Sequence, residues 1–114
     1  MLRRKPKRRY LLIWHATIKD TEAVEILRRR CAELFGHVTV EKAFLRQMRS
    51  FGDRILLSVN LSELHPVLVS ISLCHPPMVV LDMSGSLRQL EQRIHQSENP
   101  STEMSSEPSL GVKI

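Results

Sequence analysis

The stretch from Tyr10 to Ile18, YLLIWHATI, puts apolar side chains on both faces of an alternating pattern and contains no breaker. It is too short for an ordinary helix, and successive side chains of a strand point to opposite faces, so it reads as a strand buried on both sides, or at least a central one. That single element constrains the fold most, because a central strand needs hydrogen-bonding neighbours on both edges.

The rest of the chain supplies them. Asp20 or Thr21 can cap a helix in which Ala23, Val24, Leu27, Cys31 and Leu34 form one face, and Gly36 ends it. From His37 to Met48, Val38, Val40 and Phe44 alternate with more polar positions, which predicts a second strand. Arg49-Ser50-Phe51-Gly52-Asp53 is a turn signal and Arg54–Val59 (RILLSV) a third strand, so the two form a hairpin. Asn60 and Glu63 have capping-box spacing, and Pro66 fits the first turn of a second helix that buries Val67, Leu68 and Ile71 and ends before Pro76. Met78–Met83 (MVVLDM) is a fourth strand. Ser84-Gly85-Ser86 opens a last helix, with Ser86 and Gln89 spaced as a capping box and Leu87, Leu90 and Ile94 on one side.

The expected order, β-α-β-β-α-β plus a C-terminal helix, is that of an α+β, ferredoxin-like or RRM-like sandwich: an antiparallel four-stranded sheet with two helices on one face. Leu12, Leu27, Cys31, Leu34, Val40, Leu57, Ile71 and Val80 are expected in one core. With 114 residues there is room for one such core and not two. The domain is placed at residues 10–96. Residues 97–114, rich in Ser, Glu, Pro and Thr, lack the apolar surface to offset chain entropy and are expected to be a disordered tail.

Charge is distributed unevenly. Residues 1–9 form a basic arm carrying Arg3, Arg4, Lys5, Lys7, Arg8 and Arg9, whereas residues 10–96 hold ten basic and nine acidic groups. Clustered cations gain free energy by releasing counterions condensed on nucleic-acid phosphates, so the arm points to RNA or DNA. The plainer alternative is a solvated terminus without consequence. A membrane partner is not expected, since the arm has no interleaved aromatic residues and no apolar run is long enough to span a bilayer. Arg46, Arg49 and Arg54 around the hairpin, with Arg88 at the start of the last helix, make a second cationic candidate. The backbone N–H groups at Ser84-Gly85-Ser86 could take a phosphate.

Signals for other chemistry are weak. Cys31 and Cys74 lie far apart, and the five histidines form no ligand spacing, so two buried reduced thiols and no metal site are expected. No nucleophile elbow or glycine-rich phosphate loop occurs. Asp53 falls in a turn and Asp82 on an outward position of a strand, which leaves no catalytic residue to nominate. Aromatic residues are only 4%, and Trp14 and Phe44, although able to sit on the first two strands, are expected in the core; backbone and shape recognition is therefore favoured over base stacking. The N-terminus lacks the features of a secretory signal, and a cytoplasmic location is expected.

Three segments together resemble the archaeal ribonuclease P protein component 2 family, which is related to a eukaryotic subunit shared by ribonucleases P and MRP. They are KRRYLLIW leading into the first strand, AELFGHVTV joining the first helix to the expected second strand at a glycine, and VVLDMSGSLRQLEQRI at the end of the domain; they span about residues 5 to 95. The turn RSFGD and the segment HPPM depart from the family's pattern. The resemblance implies a non-catalytic subunit that binds and activates ribonuclease P RNA for removal of the 5′ leader from precursor tRNA. That RNA would carry out the hydrolysis and hold the magnesium, and the protein would bind no cofactor itself. It further implies a barrel-fold ribonuclease P protein partner and a dimer of heterodimers. On this sequence the implied contacts map to the arm, Arg9-Tyr10 and Ser84-Gly85-Ser86. The competing reading is a ferredoxin-like regulatory or assembly domain that binds a protein or small ligand without RNA. A stand-alone nuclease relying on Asp53 or Asp82 ranks third.

Overall fold

The computed structural model describes residues 7–16 and 19–97. Arg3, Arg4, Lys5 and the tail from residue 98 onward lie outside the described residues. The elements are β1 (Arg8–His15), α1 (Asp20–Phe35), α2 (His37–Ala43), β2 (Arg46–Phe51), β3 (Arg54–Asn60), a 3-10 turn at Leu61–Glu63, α3 (Leu64–Ser72), β4 (Met78–Ser84) and α4 (Leu87–Ser97). The sheet has the order β2-β3-β1-β4 with every pairing antiparallel, so β1 is central, as its sequence requires. The protein is a ferredoxin-like α+β sandwich.

Alternation along β1 builds two cores. Leu11 and Ile13, with Ile55, Leu57 and Val59 of β3, pack against Ala23, Val24, Leu27 and Cys31 of α1, Ala43 of α2 and Val67 and Ile71 of α3. Leu12 and Leu56 face the other way and are covered by Leu90 and Ile94 of α4, with Tyr10, Met48, Phe51 and Leu87 around them. The sheet is thus clad on both faces, by three helices on one and α4 on the other. Leu12 belongs to this second cluster and not to the expected single core. Leu34 is 41% exposed, like its neighbours Glu33 and Phe35, so burial along α1 ends at Cys31. Val40 and Val80 pack at the margin of the larger cluster.

The main departure is His37–Ala43, which is a helix and not the start of a strand. Val40 and Ala43 lie three apart and face inward, while Val38 is 64% exposed. Over so short a stretch a period of two and a period of three to four fit the same apolar residues. Gly36 makes the break, at φ 94° and ψ 162°, a region open essentially only to glycine; its N–H bonds to Ala32 O at 2.8 Å and closes α1, and α2 starts at the next residue. Strand β2 then begins only at Arg46. Its hairpin closes on Gly52-Asp53, with Gly52 at φ 71° and Phe51 paired with Arg54.

Capping also differs from expectation in part. The N-cap position of α1 falls on Lys19, without a side-chain bond, and not on Asp20 or Thr21. Asn60 is likewise no helix cap by its side chain, which is engaged elsewhere. The Ser86–Gln89 pair does cap α4, the Gln89 N–H donating to Ser86 Oγ at 3.2 Å. Cys31 and Cys74 are buried and free.

Candidate nucleic-acid interface

Strand β1 begins at Arg8, so Arg8 and Arg9 lie inside the sheet and only Lys7, among the described cations of the arm, precedes it. Lys7 is anchored through its carbonyl, which accepts the Leu61 N–H at 2.7 Å. Registers place Ser84 of β4, Tyr10 of β1, Ser58 of β3 and Arg46 of β2 opposite one another in a single row across all four strands. At strand spacing the row spans roughly 14 Å. Three residues nominated from sequence, Tyr10, Arg46 and Ser84, are therefore brought to one line, on the sheet face that α4 partly covers.

Two arginines flank that row. The Arg8 guanidinium donates to Ser58 Oγ, to Asn60 Oδ1 and to Phe44 O at 2.9 Å, and stacks over the Phe44 ring at 5.2 Å from its centroid. Burial lowers its pKa from the ordinary arginine value, Tyr10 opposes that shift, and the nearby positive charge of Arg46 adds to it. Arg8 remains a cation at any physiological pH. Arg9 turns its Nη1 to the Arg8 carbonyl at 3.0 Å and lies against Gly85, where a Cβ would sit 3.2 Å from that same nitrogen. A side chain at Gly85 would press on the Arg9 guanidinium and shift it by a few tenths of an ångström. Arg9, Gly85 and Ser86 thus adjoin the row. One donor of that turn is already used, Ser86 N–H bonding to Ser84 Oγ at 3.0 Å, and in the first turn of α4 the Gln89 N–H bonds to Ser86 Oγ.

The second cationic group divides. Arg46 stands at the start of β2 beside Arg8, whereas Arg49 and Arg54 are toward the opposite, hairpin end. There both stack on Phe51, at 5.6 and 5.8 Å, and Arg49 is paired with Glu91 at 3.2 Å. Arg88 is exposed on α4 and lines a shallow depression with Arg49 and Glu91, whose carboxylate offsets the local charge. The sheet corner at Arg8, Arg9 and Arg46 is the more basic of the two ends.

The carboxylates are engaged structurally. Asp53 accepts the Trp14 indole N–H at 2.9 Å, and Asp82 takes both Nε and Nη2 of Arg93 at 2.8 and 3.0 Å, which holds its carboxyl below the usual range. Among the described residues no three His, Cys, Asp or Glu side chains come together as a metal site. No helix among them is long and apolar enough to cross a membrane.

Phe44, Lys42, Ser58 and Asn60 take part at this corner although residue pattern does not nominate them. Phe44, expected in the core on a strand, is 59% exposed at the end of α2. The available signal is Gly36: a second helix opening there puts Phe44 at a helix end.

Fold and site together define a ferredoxin-like domain with a basic corner where the chain enters its central strand. No protein-family model matches the chain, and no curated protein sequence does. Among solved structures it is similar to a chain in a cryo-EM structure of yeast ribonuclease MRP. The TM-score is 0.60 at 13% identity, over 90% of this chain and 98% of that one. At this identity the likeness shows a common fold.

Proposed function

We propose that this chain is a protein subunit of a ribonuclease P/MRP-type ribonucleoprotein, binding the catalytic RNA and activating it for removal of the 5′ leader from precursor tRNA. The observation that carries the reading is the continuity of charge: the basic leader joins β1 at the same sheet corner that presents Arg8, Arg9 and Arg46. A stretch of phosphates tracking the leader would pass directly onto that corner. The fold shared with a chain of yeast ribonuclease MRP, over nearly the whole of both, supports the assignment. Magnesium and the hydrolytic step belong to the RNA in this reading.

A protein partner, such as the barrel-fold subunit, has its own support. β4 is an outer strand of the sheet, and Val79, Leu81 and Met83 on it are 49%, 49% and 43% exposed. An apolar outer strand of this kind is a surface that a protein partner would cover, which supports this part of the reading. The same strand is what favours the second reading, an assembly domain without RNA.

Reconstitution separates the two. Cleavage of precursor tRNA by the cognate RNA and its other protein subunits should rise on addition of this chain. A chain that neither raises cleavage nor binds the RNA, while still capturing a protein through β4, would establish the assembly reading instead.

A further inference from the structure

Phe44 is held in a conformation and a place that its side chain does not explain. It is the only described non-glycine residue with positive φ, at φ 47° and ψ 59°, in the left-handed region that bulky side chains rarely adopt. Its neighbours account for the backbone: Ala43 and Leu45 are both buried, so the chain reverses between them and turns residue 44 outward. A glycine or asparagine would serve there at lower cost. The phenyl ring belongs to neither hydrophobic cluster.

What the ring does have is a rigid cationic backing. Arg8 lies 5.2 Å from its centroid and is fixed by bonds to Ser58, Asn60 and the Phe44 carbonyl. Asn60 in turn donates through Nδ2 to Lys42 O at 2.7 Å, tying the end of α2 to the β1–β3 pair. Lys7, Lys42 and Arg46 are exposed around this network. An exposed aromatic surface, stacked on a guanidinium that is itself held by hydrogen bonds and with further cations nearby, suits a flat ring that carries a phosphate.

We propose that Phe44 is a stacking platform for one unpaired base of single-stranded RNA, with Arg8 holding the ring from behind and Lys42 and Arg46 receiving the flanking phosphates. This rests on the RNA-binding reading and names a contact within it. Base–aromatic stacking is sequence-tolerant, since every base presents a π-face, and it adds affinity without releasing counterions.

The test uses the full chain, a labelled 12-nucleotide oligouridine and a duplex RNA of equal length, measured by fluorescence anisotropy at two salt concentrations. Phe44→Leu should weaken binding of the single strand by about 5- to 100-fold. It should leave duplex affinity and the salt dependence unchanged, and Phe44→Trp should restore single-strand binding. Ultraviolet crosslinking should join uridine to the peptide containing residue 44. The inference is overturned if Phe44→Leu binds the oligouridine as the unaltered chain does, or weakens single strand and duplex alike. It is also overturned if that variant keeps RNA but loses a protein partner. Loss of RNA binding on changing Arg3, Arg4, Lys5 and Lys7 to Ala, with none for Phe44→Leu, would leave the RNA reading standing and reject this site alone. Failure of the unaltered chain to bind the oligouridine would reject this site, and failure to bind the cognate RNA as well would reject both.

Discussion

Arg93 grips Asp82 with two parallel hydrogen bonds, at 2.8 and 3.0 Å, and its Nη2 also reaches the Met83 carbonyl at 3.1 Å. This fork joins α4 to β4 across the edge of the smaller core. It depresses the Asp82 pKa, chiefly through the Arg93 bond. A carboxyl with a lowered folded-state pKa contributes stability above its unfolded value, and the contribution fades as pH falls through the folded value. Asp82→Asn should therefore lower the melting temperature slightly at neutral pH, and the gap between variant and unaltered chain should close below the ordinary carboxylate range. A gap independent of pH would show that the pair is not coupled to folding.

Leu90 is fully buried against Leu12 and Leu56, where α4 covers the second face of the sheet. Leu90→Ala should cost about 2–5 kcal/mol in urea denaturation, by the transfer energy forfeited and the cavity left behind. Leu34→Ala, at an exposed position that helical spacing alone would assign to the core, should cost within roughly 0.5 kcal/mol.

Gly36→Ala tests backbone strain alone. Nothing lies within 4 Å of where its Cβ would be, so no clash contributes, but φ 94° with ψ 162° is a conformation an alanine resists. A loss of about 1–3 kcal/mol is expected from equilibrium unfolding. A neutral result would mean that the α1–α2 junction relaxes freely.

The basic residues at the N-terminus should separate into two kinds. Changing Arg3, Arg4, Lys5 and Lys7 to Ala should flatten the slope of log affinity for RNA against log salt by roughly 0.7 to 0.9 for each phosphate no longer neutralised, with folding intact. Arg8→Ala should destabilise the fold by about 1–3 kcal/mol, because Ser58 and Asn60 are left without a charged partner. Thermal melts alongside salt titrations would distinguish them; a four-alanine variant with an unchanged slope would make the sheet corner the principal RNA surface.

Burial is the main cause that raises the Cys74 pKa, with Arg30 opposing it. Since the thiolate is the reactive form, Cys74 should react slowly with a thiol reagent under native conditions near neutral pH and rapidly once denatured. Fast native labelling would place the thiol at the surface.

Residue pattern is enough for strands β1, β3 and β4, because YLLIWH, RILLSV and MVVLDM are short apolar runs enriched in β-branched and aromatic residues, a composition that favours strand over helix. It is enough too for the stop at Gly36 and the cap at Ser86–Gln89, which depend on local backbone chemistry. Packing between distant segments settles the remainder. His37–Ala43 is seven residues long, too few for periodicity to choose between helix and strand, and the choice falls to the surface offered by α1 and α3, beside which Ala43 and Val40 pack. Leu11 and Leu12 are equally apolar, and only the docking of α4 on the second face gives Leu12 a core of its own. The basic corner is tertiary in the same sense: Arg8 and Arg46 are far apart in the chain, and Ser58, within a row through four strands, brings them together because antiparallel register fixes which residues face each other.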